Sequence, residues 1–410
     1  MADIRPFAGI RPCVEKAEKI AALPYDVYNR EEAKAEVARE PESFLKIDRA
    51  ETQFDDSVSM YAPEVYQRAH DTLWDMVKKG DFIRDEAPCY YIYELTMNGR
   101  TQTGIVACAS IDDYETGVIK KHENTRAEKE QDRICHVDAC NAQTGPIFLA
   151  YRSCGVINRI VEKNQKEKPE YDFVSPDGIG HRVWIMKDPA DIRKVQEAFA
   201  GIRDIYIADG HHRAASAVKV GQMRRKGHPG YTGEEPFNYF LSVLFPDDQL
   251  MIMDYNRVIK DLNGLTEEEF LEKVKEIFDV SKAGADFKPD RQGTFGMYLK
   301  KQWYCCRIRP EDIPDDPVGS LDVSLLQNLL LEPVLGIQDP KTDDRIDFVG
   351  GIRGKKELER RCHLDCMAAF AMYPASIQQL FAVADAGLLM PPKSTWFEPK
   401  LRSGLFIHEI

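Results

Sequence analysis

Apolar positions along the chain follow two spacings, one typical of helices and one typical of strands. They recur at helical spacing over Tyr61–Lys79, and Gly80 ends that pattern. Over Cys89–Ile111, two β-prone runs flank Asn98–Gly99, which predicts a hairpin. Further helices are predicted at 30–40, 127 onward, 156–163, 189–200, 266–278, 323–331, 355–361 and 377–386, and further strands at 147–151, 181–187, 239–244, 294–299, 303–308, 346–349 and 367–372. The predicted fold class is α/β, an α+β arrangement with a mixed sheet.

Connections and boundaries are less clearly marked than the elements. Residues 164–180 are predicted to form a polar loop, and residues 249–253 to form the hairpin partner of strand 239–244. The character of the sequence changes after about residue 262, without a flexible linker. We therefore predict two domains, a catalytic core at 1–262 and a C-terminal α/β region at 263–410 whose tail returns to the active site.

The stretch Asp204–Ala217, DIYIADGHHRAASA, changes from strand-like to helix-like within a few residues. Ile205–Ala208 is β-prone, Asp209 and Gly210 interrupt it, and the following alanines favour a helix. Such a junction directs backbone N–H groups and the positive end of the helix dipole towards one point. Anions, phosphate above all, bind well there.

The side chains of this junction fall into two candidate roles. Gly210, His211 and Arg213 are predicted to bind phosphate, with Arg213 offering a bidentate fork. Asp209 and His212 are predicted to be catalytic, as a Mg²⁺ ligand or base and as a proton carrier. The alternative is that Asp209 caps the helix and one histidine is a packed structural residue.

A second polar cluster lies at Lys120–Arg126, between a predicted strand and the helix from Ala127; we call it the knot. Thr125 and Glu128 fit a helix capping box, which explains the threonine but not the residues around it. A carboxylate among cations suits a general base in a phosphate-rich site. The predicted site residues here are His122 and Glu123 as catalytic groups, and Lys121, Arg126 and Arg133 as phosphate ligands.

Cysteine and histidine also occur together, in a pattern that resembles an incomplete metal site. The spacing of Cys135, His136 and Cys140 fits zinc only loosely, and Cys362 and Cys366 would have to complete the site from far away in the sequence. No metal site of this kind is predicted. The ten cysteines show no dense framework, so we expect reduced thiols.

The C-terminal stretch 390–400 is rich in proline and polar residues, yet it carries Trp396 and Phe397. Such a segment could lie extended along a cleft and offer side chains to a phosphate. It could equally be a tail that its aromatic residues pin in place. The candidate phosphate ligands in it are Lys393, Ser394, Thr395 and Lys400.

Composition limits the partners. The net charge of −13 over 410 residues argues against nucleic-acid binding, which needs a basic surface. No apolar run approaches the roughly 18 residues of a membrane span. The N-terminus lacks the apolar core of a signal peptide, so we expect a cytoplasmic protein without a membrane partner. The oligomeric state is left open.

Two resemblances rest on these motifs. The DGHHR box with its small-residue helix resembles the phosphate-binding box of the ParB/sulfiredoxin-like superfamily, which includes the free serine kinases. Longer segments resemble the domain of unknown function 1015 family, and they are RPFAGIRP at Arg5–Pro12, LPYDV at Leu23–Val27, GVIKKHENTR at Gly117–Arg126, YIADGHHR at Tyr206–Arg213 and PPKSTWFEPKLRSGL at Pro391–Leu405. The resemblance implies a ParB/sulfiredoxin-like core with a C-terminal α/β extension.

The residues and the resemblance together favour a nucleotide-dependent phosphotransferase. Its cofactors would be ATP or ADP with Mg²⁺, and its small-molecule substrate would be serine or phosphoserine, as the free serine kinases imply. No Walker loop GxxxxGK[ST] is present, so the nucleotide site would be of the ParB-like kind. Two alternatives stay open at this point: a phosphoserine phosphatase-like hydrolase, and a non-catalytic nucleotide or metabolite sensor.

Overall fold

The computed structural model describes all 410 residues, and the chain divides into two units. The first unit comprises Met1–Leu250 and Pro399–Ile410, and the second comprises Met251–Glu398. The division follows Leu250 rather than residue 262, because the strand Tyr255–Ile259 already pairs within the sheet of the second unit. The last residues of the chain belong to the first unit.

The first unit is built on a nine-stranded mixed sheet. The edge-to-edge strand order is Ile119–Lys120, Ile205–Asp209, Ile147–Tyr151, Tyr239–Pro246, Arg100–Ser110, Tyr90–Met97, Gly180–Met186 and Tyr171–Val174, with Ile4–Arg5 paired to Arg100–Ser110. Two pairs are parallel, Ile205–Asp209 with Ile119–Lys120 and Tyr239–Pro246 with Ile147–Tyr151, and the others are antiparallel. The predicted mixed α/β class is confirmed.

Helices cover this sheet and build a second layer of core. The α-helices of the first unit are Ala17–Ile20, Arg30–Arg39, Leu45–Asp48, Pro63–Lys79, Ile111–Thr116, Ala127–Cys140, Gly155–Asn164, Pro189–Ala200 and His211–Gly227. One apolar cluster lies between the sheet and helices such as His211–Gly227, and another packs Pro63–Lys79 against the N-terminal segments. Short ladders join Ile10–Pro12 to Phe82–Arg84 and Ala142–Gln143 to His408–Glu409.

The second unit has an antiparallel six-stranded sheet of its own. Its strand order is Asp279–Ala283, Gln302–Arg307, Thr294–Leu299, Ala368–Ala371, Tyr255–Ile259 and Ile346–Gly350, and a short ladder joins Ile252–Met253 to Trp396–Phe397. Its α-helices are Glu267–Ile277, Asp322–Leu326, Lys355–Leu364 and Ile377–Asp385, and the π-helix Gln327–Leu331 continues the second of these. No helix in either unit is long and apolar enough to cross a membrane.

Three local predictions are wrong. The predicted polar loop 164–180 contains the strand Tyr171–Val174, an edge strand whose alternation is too short to read. Residues 249–253 do not pair with Tyr239–Pro246, because Arg100–Ser110 and Ile147–Tyr151 occupy both of its edges. The predicted capping box also fails, since the N-cap of Ala127–Cys140 is Arg126 without a side-chain cap, and the Thr125 hydroxyl donates instead to Glu130 at 2.6 Å.

Candidate active site

The predicted strand–turn–helix is present, and it forms what we call the elbow, Asp209–Arg213. The strand Ile205–Asp209 ends at Gly210, whose φ of 91° lies in the left-handed region, and a helix begins at His211. No side chain caps that helix. The first N–H groups of the helix therefore have no partner within it, and this is the arrangement in which an anion site is predicted.

Gly210 has a second reason to be glycine besides its backbone angle. A Cβ atom there would lie 3.0 Å from the Nε and Nη2 atoms of Arg213, so the guanidinium group lies directly over the turn. Nη1 of Arg213 donates to the Pro146 carbonyl at 2.6 Å, which holds the group in place. The arginine thus lies beside the open N-terminus of the helix, where an anion would be bound.

Replacing Gly210 with alanine should weaken anion binding at the elbow as well as stability. Gly80→Ala is the matched control, because its φ of 83° is similar but no atom lies within 4 Å of the added Cβ. Both variants should lose roughly 1–2 kcal/mol of stability from the backbone strain. Only Gly210→Ala should weaken nucleotide binding in calorimetry; equal affinities in the two variants would contradict this placement of Arg213.

Two cations, Lys400 and Arg213, act on the carboxylate of Asp209. Lys400 Nζ lies 3.0 Å from its Oδ2, and the N–H of Gly210 donates to its Oδ1 at 2.9 Å. Burial alone would raise the pKa of Asp209, but the attraction of Lys400 and Arg213 prevails and holds that pKa well below its usual range. Asp209 is therefore a carboxylate at neutral pH and not a proton donor.

The knot meets the elbow because of the sheet topology. The strand Ile119–Lys120 runs parallel to the elbow strand, with Ile119 opposite Ile205 and Lys120 opposite Tyr206. Neighbouring parallel strands end at the same edge of a sheet, where ligands of such sheets bind. The segments that follow the two strands, the knot and the elbow, are consequently adjacent.

Four contacts join the knot to the elbow through histidines. The His122 ring packs edge-to-face on the His211 ring with centroids 4.5 Å apart. The backbone N–H of His122 donates to His211 Nε2 at 3.5 Å. The carboxylate of Glu123 lies 4.0 Å from Nδ1 of His211. The N–H of Arg126 donates to Nε2 of His212 at 2.9 Å, so His212 is the neutral Nδ1–H tautomer in this arrangement.

Burial keeps these histidines neutral. It lowers the pKa of His122 to about 4, and it lowers the pKa of His211 well below the usual value, helped by the neighbouring His122. Burial also lowers the pKa of His212, and the charges of Lys129 and Arg126 add to that effect. The Nδ1 atom of His122 is buried without a hydrogen-bond partner.

Protonation of His122 should destabilise the protein below neutral pH. The pKa is about 4 in the folded chain against 6.5 for a histidine side chain in water, so the unfolded chain takes up a proton first. Stability from this residue is complete above pH 6.5 and is lost as the pH falls towards 4, by about 2 kcal/mol between pH 7 and pH 5. Denaturant titrations of His122→Gln at both pH values should show a smaller pH dependence than the parent.

His408→Gln is the control for that experiment. Burial lowers the pKa of His408 to about 4 as well, and its Nε2 lies 3.0 Å from the Pro236 carbonyl. The His408→Gln substitution should therefore remove a similar share of the pH dependence of stability without affecting the elbow. An unchanged pH dependence in His122→Gln would contradict a neutral buried ring.

A cavity of about 220 Å³ lies within the first unit. Tyr25, Asp26, Lys129 and Arg133 are among the residues that line it. A smaller cavity of about 30 Å³ shares Tyr25 and Arg133 with it and is lined by Arg213 as well. Arg213 is the one elbow residue among the lining residues of the two cavities.

Arg133 is a fixed cation in the wall of both cavities. Its guanidinium carbon lies 4.2 Å from the centre of the Tyr25 ring, and its Nε donates to Asp132 at 2.8 Å. Burial alone would lower its pKa, but Asp132 and Tyr25 raise it above the ordinary value. Burial raises the pKa of the Tyr25 phenol to about 12, so that group is a hydrogen-bond donor at neutral pH.

Residues that the sequence analysis missed or left unassigned hold the C-terminal tail at this site. Arg402 is buried, and its Nη2 donates to Asp177 at 2.6 Å and to Ser175 at 3.0 Å. Ser175 in turn contacts His181 at 3.0 Å. This network fixes the tail two residues beyond Lys400 and so positions the lysine on Asp209. No sequence pattern connects 175–181 with 402.

The structure brings together most, but not all, of the predicted site. Lys121 is exposed, with its ammonium 5.5 Å from the centre of the Tyr114 ring. Lys393, Ser394 and Thr395 belong to the second unit, where Ser394 donates to the Pro391 carbonyl at 2.6 Å. Their role as phosphate ligands stays a prediction. No three histidine, cysteine, aspartate or glutamate side chains group as metal ligands.

Solved structures with a similar chain course include a free serine kinase in complex with AMP, at 16% identity and a TM-score of 0.35, covering 74% of this chain and 92% of that one. SbnI with a C-terminal truncation, from Staphylococcus aureus, is similar at 10% identity and a TM-score of 0.38, with 73% and 85% covered. A conserved hypothetical protein from Pyrococcus furiosus is similar at 14% identity and 0.34, with 74% and 94% covered. Likenesses this distant say nothing of what this chain binds.

No curated protein matches the sequence. Residues 4–324 match the family described as protein of unknown function (DUF1015). That match spans most of the chain and contains both the knot and the elbow. It confirms the resemblance carried by the sequence motifs, and the chain belongs to the DUF1015 family.

Proposed function

We propose that the first unit is a nucleotide-dependent phosphotransferase that acts on a small metabolite with a hydroxyl group. One observation carries the proposal: an uncapped helix N-terminus with Arg213 over it meets a knot that bears the exposed carboxylate of Glu123. Phosphoryl transfer needs positioning and charge stabilisation more than covalent chemistry. This arrangement places hydrogen-bond donors for a phosphate beside a carboxylate that can act as a base, at one edge of the sheet.

The roles follow from the contacts. The free N–H groups of His211–Arg213 and the Arg213 guanidinium hold the transferred phosphoryl group. Lys400 keeps Asp209 ionised and adds positive charge beside it. Glu123 accepts the proton of the attacking hydroxyl, and the neutral His122 and His211 rings pack behind it. Lys121 and Arg126, both exposed on the knot, neutralise charge that develops on the phosphate.

ATP or ADP with Mg²⁺ fits this set of side chains. Mg²⁺ is commonly held by one or two carboxylates together with substrate phosphates, and no all-protein cage is required. Asp209 is the carboxylate that would hold it. When bound, the ion would neutralise charge on the phosphates. Asp209 would serve it while remaining ionised, as its lowered pKa requires.

The larger cavity suits a small polar acceptor. Its volume of about 220 Å³ and its lining by Asp26, Arg133 and the Tyr25 phenol match a molecule with both charges, such as an amino acid. The DGHHR box resembles that of the free serine kinases, so serine and phosphoserine are the substrates we propose. Asp26 would face the amino group, and Arg133 the carboxylate or phosphate.

The experiment is an assay with serine plus ATP or ADP and Mg²⁺, with phosphoserine followed by mass spectrometry in both directions. We expect turnover that Arg213→Gln lowers by at least tenfold, since the guanidinium lies over the anion site. Arg224→Gln, further along the same helix and paired with Asp138, is the control and should leave the rate unchanged.

Three outcomes would count against the proposal. Nucleotide binding without turnover in either direction would point to a sensor. Phosphate release from phosphoserine without nucleotide would point to a hydrolase that uses the same phosphate site. Equal rates in Arg213→Gln and the parent would remove the elbow from the reaction.

A further inference from the structure

The second unit contains a buried arginine without a carboxylate partner. Arg257 lies in the strand Tyr255–Ile259 and is 4% exposed. Its Nη1 donates to the Tyr255 carbonyl, and its guanidinium carbon lies 5.4 Å from the centre of the Phe348 ring. No aspartate or glutamate forms an ion pair with it. Burial lowers its pKa to about 10, as expected for a cation without an anionic partner.

Burying a charge without an opposite charge is costly, so native proteins normally pair it. A carbonyl and an aromatic face satisfy only part of a guanidinium, which has five N–H donors. The Nε–Nη2 edge of Arg257 has no protein acceptor. An unpaired edge of this kind matches the geometry of a carboxylate, which accepts two parallel hydrogen bonds.

This arginine lines a cavity of about 200 Å³ that lies wholly within the second unit. The rest of the wall is mainly apolar, with Val323, Leu331, Ile346 and Pro391 among its members. A cavity of roughly 150 Å³ suffices for benzene in another protein, so a molecule of that size fits here. One buried cation in an apolar wall favours an anion with an apolar body.

Two more polar groups of the wall lack partners. Ser324 and Gln327 both line the cavity, and the Ser324 hydroxyl and the Gln327 Oε1 are buried without a hydrogen bond. Gln327 also begins the π-helix Gln327–Leu331, a rare form that occurs frequently at functional sites. Unsatisfied polar groups and irregular helix therefore coincide at the same cavity as the unpaired arginine.

We propose that this cavity is a second ligand site, which binds a small organic acid with its carboxylate on Arg257 and its apolar part against the aliphatic wall. The Ser324 hydroxyl supplies a further hydrogen bond. A carboxylate is favoured over phosphate because the wall offers one cation and few other donors, whereas phosphate sites usually gather several. This site is independent of the proposed phosphoryl transfer in the first unit.

The test is calorimetry on the full-length protein with acetate, butyrate and benzoate, each against its neutral amide, at constant ionic strength. We expect one site per chain, at least tenfold tighter binding of a carboxylate than of its amide, and increasing affinity with apolar size. Inorganic phosphate should bind more weakly than the best carboxylate. If no acid binds better than its amide, or if phosphate alone binds, the proposal is wrong.

Variants connect the binding to the cavity. Arg257→Met should lose carboxylate binding by more than tenfold, while its melting temperature without ligand stays the same or rises, because an unpaired buried charge is removed. Arg291→Met, at an exposed arginine of the same unit, should bind like the parent. Ser324→Ala should weaken binding severalfold and tests the site should Arg257→Met not fold. A lower melting temperature in Arg257→Met with undiminished binding would show a purely structural arginine.

Discussion

Replacing Glu123 with glutamine should slow phosphoryl transfer by about 10²–10⁴-fold, the usual contribution of a general base. The amide keeps the shape of the carboxylate but cannot take the proton of the attacking hydroxyl. Glu123 is half exposed and lies 4.0 Å from His211, so its loss should leave folding and nucleotide affinity unchanged. The measurement is kcat with serine as acceptor, together with nucleotide affinity by calorimetry.

Glu197→Gln, at an exposed glutamate of the helix Pro189–Ala200, controls for the loss of one negative charge. It should show parental rates. If Glu123→Gln retains more than half of the parental kcat, the base must be another group, and the unpartnered Nδ1 of His122 would be the next to examine.

Replacing Lys400 with methionine should lower the rate by about 10²–10³-fold, the usual effect of removing one donor at a developing charge. The lysine is the ion-pair partner of Asp209, and burial would raise the pKa of that carboxylate once the ammonium is gone. Protonated Asp209 would be a weaker ligand for Mg²⁺. The measurement is the pH dependence of kcat, in which the variant should lose activity at a higher pH than the parent does as the pH is lowered.

Two comparisons make that result specific. Lys400→Arg keeps the charge and should recover part of the rate. Lys226→Met, at the exposed end of the elbow helix, should have no effect. A uniform loss of activity at all pH values, with no recovery in Lys400→Arg, would show that Lys400 supports the fold of the tail and not the state of Asp209.

Local sequence patterns predicted the elbow and its neighbours well, for a physical reason. The turn at Asp209–Gly210 and the hairpin turn at Asn98–Gly99 need backbone angles that few residues adopt, and Asn98, Gly99 and Gly210 all have positive φ. These signals depend only on adjacent residues. The helix predicted from residue 266 is also present, and Thr266 and Glu269 form a capping box at its start.

Features that depend on distant residues could not be predicted in that way. The Thr125 hydroxyl donates to Glu130 instead of capping the helix that follows, because Lys219 of the elbow helix holds Glu130 in place. Lys400 reaches Asp209 only because Arg402 is anchored at Asp177 and Ser175. Neither pairing can be recognised from the neighbouring residues in the sequence. The sequence named Lys400 as a candidate but gave no reason to prefer it to Lys393.

The pocket residues illustrate the same limit. Tyr25 and Asp26 lie in a proline-containing stretch without periodicity, and their position beside Arg133 results from packing against the helix Ala127–Cys140. A Pro-Tyr-Asp sequence indicates a binding role only when a cation from elsewhere in the chain lies next to it. Its presence among the segments that carry the family resemblance was the one signal that could have directed attention to it.

The most direct measurement is a crystal structure of the protein with ADP and Mg²⁺. The central claim is that the open helix N-terminus at His211–Arg213 grips a phosphoryl group beside Glu123. We expect the terminal phosphate to accept hydrogen bonds from those N–H groups and from Arg213, within reach of Lys400. A nucleotide bound with its phosphates elsewhere, and the elbow unchanged and without contact to them, would contradict the account.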